Sequence, residues 1–214
     1  MKTKEEIKKI ETVVLYILRE FREGVDYIKL FKIMYFAQKD FLLSYGKVLC
    51  PDTFKARKYG PVPMLSDKVI KTVETRETLR GKADLNRRTS ESSAELARAL
   101  PSEKEEDAVK AFAGSIRVDE SQRVFGLKEP DTDYLSKKEQ QYLDKWIEYC
   151  RDKDSLSELS PESHDRAYET AWQAYQDDPQ KGEMTLIEIA RAGGASEKMV
   201  AYIRQKELMS EELS

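Results

Sequence analysis

Asp26-Tyr-Ile-Lys-Leu30-Phe-Lys-Ile-Met-Tyr35-Phe-Ala-Gln-Lys-Asp40-Phe-Leu-Leu-Ser-Tyr-Gly46 is the stretch on which the fold turns. Its apolar positions are Tyr27, Leu30, Phe31, Ile33, Met34, Phe36, Ala37, Phe41 and Leu42. They follow helical spacing but spread too widely for a single stripe, which predicts a helix buried on most sides. Asp26 stands where a cap belongs, and Gly46 closes the segment.

Helical signals continue on both sides. Ile7, Ile10, Val13, Val14, Ile17, Leu18 and Phe21 form one stripe that Gly24 ends. Residues 53–59 read as a short strand or extended segment. Gly60-Pro61-Val62-Pro63 follows as a stiff, extended tetrapeptide, because two prolines remove donors and restrict their neighbours. A helix is expected from about Ser66 to Thr78, with Asp67 near its start. Residues 80–104 read as a variable segment with one short helix near Ser93–Leu100. Ser115–Val118 and Arg123–Leu127 read as two strands joined by the loop Asp119–Gln122.

Ser136 and Glu139 have capping-box spacing and open a helix with Leu135, Tyr142, Leu143, Trp146, Ile147 and Cys150 on its apolar face. Ser155 and Glu158 repeat that spacing ahead of Leu156 and Leu159. Ser163-His164-Asp165 interrupts, Ala167–Tyr175 continues, and Asp178-Pro179 stops the helix. Thr185–Leu208 reads as two helices split by Gly193-Gly194. The expected fold is mainly α with a small β component, namely a strand near 53–59 and a hairpin near 115–127. Two domains are expected, a helical one over 1–178 and a C-terminal helical hairpin over 183–214.

Composition narrows the function. The 214 residues are 36% charged and 40% apolar, with a net charge of −3. Such balance exerts no global pull on nucleic acid or acidic membrane, so any DNA contact needs a local basic patch. No run approaches the roughly 20 apolar residues of a membrane span. The apolar run Val13–Leu18 is too short and too flanked by charge for a secretory signal. Cys50 and Cys150 are far apart and read as free thiols. These features suit a cytoplasmic protein with no membrane partner.

One histidine and two distant cysteines make a three-ligand zinc site improbable. No phosphate-binding or dinucleotide-binding glycine pattern occurs, and nothing marks a Ser-His-acid triad. The expectation is a non-enzymatic protein without cofactor or metal.

Several residues carry two readings. Tyr35, Phe36 and Phe41 suit helix core as well as a binding stripe. Gly60-Pro61-Val62-Pro63 is either a turn that positions two elements or a ledge presenting Lys58 and Tyr59 to a partner. His164 is either a structural residue at a helix junction or a contact in a groove with Tyr59. Trp172 suits core or a binding hot spot. Asp131 and Asp133 suit turn and helix-start geometry. In the tail, Ala190, Gly194, Val200 and Ile203 fall at the small, turn and core positions of a helix-turn-helix. Its second helix would offer Ser196, Lys198 and Arg204 to a groove. Acids outnumber bases there, so a packed hairpin is favoured over DNA binding.

Four segments are informative together: Lys29–Lys39 with Tyr45-Gly46; Asp52–Pro63 with Asp67; Asp131–Ser136; and Leu156–Ser160 followed by Ser163-His164-Asp165 and Ala171-Trp172. In this order they resemble the Panacea domain, the family that includes SocA-like antitoxins and phage-associated relatives. The resemblance spans roughly residues 8–175. It implies a protein that neutralises a toxin by direct protein–protein contact. It also raises delivery of the toxin to a ClpXP-type protease as a second mode. Taken with the residue readings above, the candidate partner-binding residues are Tyr35, Lys58, Tyr59, Gly60, Pro61, Val62, Pro63, Ser163, His164, Asp165 and Trp172. The alternative is a transcriptional regulator that binds DNA through its tail.

Overall fold

The computed structural model describes residues 2–85 and 106–212. In chain order it runs α1 (Lys4–Arg19), β1 (Val25–Asp26), α2 (Tyr27–Tyr45), β2 (Phe54–Arg57), β3 (Gly60–Pro63), α3 (Met64–Leu85), α4 (Glu106–Ala113), β4 (Ile116–Val118), β5 (Arg123–Gly126), α5 (Lys137–Cys150), α6 (Arg166–Asp177), β6 (Glu183–Met184), α7 (Leu186–Ala192) and α8 (Glu197–Glu212). The fold is thus mainly α with a small β component, as its sequence predicts. It divides into two units, Met1–Tyr27 with Leu65–Leu135, and Ile28–Met64 with Ser136–Ser214.

In the first unit a Thr3–Glu6 capping box starts α1, and Ile10, Val13, Val14 and Ile17 are fully buried. The helix ends at Arg19, short of Gly24, and Phe21 lies in the turn that follows. Glu11 is buried on α1 between Lys8 and Lys128, at 3.0 and 2.6 Å. Burial alone would raise its carboxyl pKa, but the two ammonium groups outweigh it and hold the pKa down. The expected hairpin forms from β4 and β5, turning at Asp119–Gln122, where the Asp119 carboxylate accepts the amides of Ser121 and Arg123. A third strand was not legible: β1 pairs antiparallel with β5 through two residues only. Asp131 accepts from the Asp133 amide and caps a 3-10 turn, the helix-start role expected of it.

Helix α3 runs from Met64 to Leu85, longer at both ends than the 66–78 expected. At the C-terminal end the added Leu79-Arg-Gly-Lys-Ala-Asp-Leu85 contains no proline and mostly good helix formers, which outweigh Gly81. Most of the expected variable segment at 80–104, with its expected helix at Ser93–Leu100, lies outside the described residues.

The second unit is built on α2, where Leu30, Ile33, Met34, Tyr35, Ala37 and Leu42 are fully buried. The Ser136–Glu139 capping box opens α5. The Ser155–Glu158 spacing does not make a second box. Asp154 is the cap, accepting the amides of Leu156 and Ser157, while Glu158 accepts from the Asp154 amide. A carboxylate one residue earlier reaches the free amides of a π turn over Ser155–Leu159 that a serine hydroxyl at 155 does not cap. A single helical turn, Ser160–Glu162, continues it.

Residues 53–63 are a two-residue β-hairpin rather than one strand plus a spacer. Lys58 and Tyr59 form its turn, and Gly60 takes φ +105 to bring the chain back. The sheet order is β3-β2-β6. The Ala56 amide donates to Gly182 on the β6 side, so antiparallel alternation turns Lys55 and Arg57 toward β3. Val62 and Gly60 pair with them, which leaves Pro61 and Pro63 on the outer edge. Proline suits that edge because it has no amide to leave unpaired.

Candidate functional site

Helix α2 carries Lys32, Tyr35 and Lys39 at spacings of three and four, on one face. Asp165 meets this face from the junction before α6 and uses both carboxylate oxygens. Its Oδ1 caps α6 by accepting the amides of Ala167 and Tyr168. Its Oδ2 accepts from the Tyr35 hydroxyl at 2.8 Å and from Lys39 Nζ at 2.9 Å. Tyr35 is fully buried with its ring edge against Phe54, 5.5 Å between centroids. Burial first, and the Asp165 charge second, hold its phenol protonated.

Three side chains hold the hairpin by its backbone carbonyls. Tyr168 Oη donates to Arg57 O at 3.0 Å, Ser160 Oγ to Tyr59 O at 3.1 Å, and Lys32 Nζ to Pro61 O at 3.3 Å. Ser163 is buried and donates to Ser160 O at 2.7 Å. Gly60 is required here, because a Cβ would fall on Lys32 Nζ and Ser163 Oγ. Lys32 is only 1% exposed, and burial pushes its pKa down to about 7. It donates to the Pro61 carbonyl, and no ion pair joins it to a carboxylate among the described residues.

His164 is half-buried and stacks on Tyr168 at 4.1 Å and 10°. Its Nε2 is buried without a hydrogen-bond partner among the described residues. Burial, then the nearby Lys32 charge, lowers its pKa. The stack continues through Trp172 to Tyr175, which Arg57 covers at 4.7 Å.

The sequence-derived candidates therefore converge but divide in role. Tyr35, Gly60, Pro61, Pro63 and Ser163 are buried and build the platform. Lys58 and Tyr59 are exposed at the tip, Tyr59 by 46%. Val62, His164, Asp165 and Trp172 are partly exposed. Sequence reasoning missed Lys32, Lys39, Ser160 and Tyr168 as its fixings. Lys32 had a legible signal, a lysine inside the most apolar helix of the chain.

The tail candidates lie elsewhere in the second unit. Ser196 Oγ accepts the Met199 amide and so serves the start of α8, while Lys198 and Arg204 are exposed. Gly194, at φ +90, makes the turn between α7 and α8. Gly193 packs so closely on Leu43 that it has no room for a side chain.

Among the described residues no group of three or more His, Cys, Asp or Glu side chains is placed to hold a metal ion. No helix among them is long and apolar enough to cross a membrane. No curated protein and no solved structure matches the chain. A family model does match, over residues 30–173, which include both arms of the platform and the whole hairpin. The chain belongs to the family of antitoxin SocA-like proteins with a Panacea domain.

Proposed function

We propose that this chain is a non-catalytic antitoxin that neutralises a partner toxin by direct contact through the Lys58–Tyr59 turn, with Val62 and His164 beside it. One observation carries the reading. Tyr59 stands exposed on a hairpin whose backbone is held from beneath at the carbonyls of Arg57, Tyr59 and Pro61. An aromatic side chain on a fixed mount binds at little entropic cost, the property of an interface anchor. Lys58 lies 5.1 Å over the Tyr59 ring and adds a positive charge at the tip. Family membership supports the antitoxin role. The same contact serves occlusion of the toxin and its delivery to a ClpXP-type protease.

The test is co-expression with the small protein encoded beside this chain. Wild type restores growth, and Tyr59→Ala with Lys58→Glu does not, although its thermal unfolding is unchanged. Full protection by the double variant overturns the assigned surface. A shorter toxin half-life in cells with active ClpXP separates delivery from occlusion. A second reading, a DNA-binding regulator, draws on the exposed Lys198 and Arg204 of α8. It requires a salt-sensitive mobility shift that changing either residue weakens.

A further inference from the structure

The outer face of the β3-β2-β6 sheet carries positive charge that no ion pair neutralises. Strand alternation turns Phe54 and Ala56 of β2 inward, where both are buried, and leaves Lys55 and Arg57 on the outer face, partly exposed. Val62 of β3 pairs with Lys55 and shares that face. With Lys58 in the turn, three cations fall within four positions, and no Asp or Glu occurs from Thr53 to Met64. Arg57 is held in place, since its Nη1 donates to Ala56 O at 2.9 Å and its guanidinium covers the Tyr175 ring. Lys58 covers the Tyr59 ring. Among the described residues, none of the three cations makes an ion pair with a carboxylate. The one carboxylate in the sheet is Glu183 of β6, which is exposed opposite Lys55. The chain as a whole carries −3, so this face is opposite in sign to the average.

We propose that the toxin segment seated on the Tyr59 tip is acidic and presents carboxylates around an apolar side chain. This deepens the toxin-binding reading and rests on it. Lys55 and Arg57 are two residues apart on one strand, so their side chains leave the sheet about 7 Å apart. Carboxylates at alternate positions of an extended segment have that spacing, and those on successive turns of a helix come close to it. Val62 and Tyr59 supply the apolar contact between the charges. The Arg57 guanidinium is already fixed against Tyr175, so little freedom is lost when a carboxylate meets it. Charges at the rim of a contact act mainly on encounter: they speed the approach of an acidic surface and turn away a basic one. The face suits a protein better than a nucleic acid, because three cations neutralise few phosphates and Glu183 stands beside them.

The test titrates the full-length chain with two short synthetic peptides, one alternating glutamate with leucine and tryptophan, the other with lysine in place of glutamate. The acidic peptide should shift the amide resonances of residues 57–59, less so as salt rises, and the basic peptide should not. Lys55→Glu and Lys58→Glu should each weaken that binding about three- to tenfold, and Glu183→Gln should strengthen it about twofold. Lys55→Gln replaces Lys55→Glu if the latter unfolds. With the small protein encoded beside this chain as ligand, Lys58→Glu should slow association about three- to tenfold and leave dissociation nearly unchanged, whereas Tyr59→Ala should speed dissociation. Equal binding of the two peptides overturns the proposal. So do charge-reversal variants that bind like wild type, or a tip that prefers an oligonucleotide to the acidic peptide. If Tyr59→Ala abolishes toxin binding while the charge variants leave it intact, the Tyr59 tip stands and the acidic partner falls. If Tyr59→Ala is also without effect, the tip itself falls and this inference with it.

Discussion

Replacing Asp165 by alanine removes three interactions at once, and the structure apportions them. Loss of the α6 cap costs about 1 kcal/mol. The Tyr35 hydroxyl, fully buried, is left without its acceptor. That costs a further 1–3 kcal/mol or about 2. Lys39 keeps some solvent access, with 18% of its side chain exposed, and its ion pair adds little. Asp165→Ala should therefore destabilise the second unit by about 3 kcal/mol, or roughly 6–12 °C in melting temperature for a chain of this size. Asp165→Asn keeps a good cap and a carbonyl for Tyr35, and should cost about 1 kcal/mol. Tyr35→Phe removes the stranded hydroxyl, so in the alanine background it should return about 1–2 kcal/mol. Urea unfolding of the four proteins reads all three numbers. Equal costs for alanine and asparagine, or no coupling to Tyr35, would refute the claim that one carboxylate serves both the cap and the buried phenol.

Lys32→Met tests the buried ammonium. Its folded pKa is pushed down to about 7. An unfolded lysine holds its proton to about 10.4. Between those values the unfolded chain binds more protons, so this residue's penalty is full at pH 6 and fades as pH rises. The variant should exceed wild type in urea midpoint most at pH 6 and least near pH 10; a gap independent of pH rejects the assignment. Gly60→Ala should cost at least about 1–3 kcal/mol through its positive φ, before the collision with Lys32 and Ser163 is counted. An unchanged melting temperature would rule that out. Glu11, with a lowered pKa, stabilises above the unfolded value of about 4.3 and loses this as pH falls. Glu11→Gln should flatten the acid limb of the stability profile. Burial pushes the Cys150 thiol up to about 12, with Glu162 adding to the shift, and Cys50 is also buried. A thiol reagent at pH 8 should therefore label neither until the chain unfolds.

The helices were legible because their signals are local. Ser136 with Glu139 and Gly193 with Gly194 mark ends regardless of what packs nearby. The breadth of the apolar set in α2 announced its burial. Strands β1 and β6 were not legible, because each has two residues and exists only through a partner distant in sequence. The prolines of β3 argued for stiffness, yet their meaning as an edge needed the register with β2. The capping role of Asp154 was masked by a serine placed at an equally suitable spacing. At the site, the sequence marked the tip and the Ser163–Asp165 junction. The fixings were hidden, since Tyr168 and Ser160 lie about a hundred residues from the carbonyls they hold.

The proline edge of β3 has a consequence for how this surface can change over generations. A binding protein that adds its ligand as an extra strand reads mostly backbone, and shifts its preference only by reshaping pockets along a groove. Here Pro61 and Pro63 offer no amides for such addition, and the Pro61 carbonyl is already taken by Lys32. Both prolines are themselves buried, so a partner at the turn and β3 must be read by the side chains at 58, 59 and 62. None of the three is fully buried, and the contacts that hold the hairpin reach its backbone carbonyls. Residue identity at the tip is thereby uncoupled from the mount, and a lineage can exchange one target for another at those positions while the chassis beneath stays as it is.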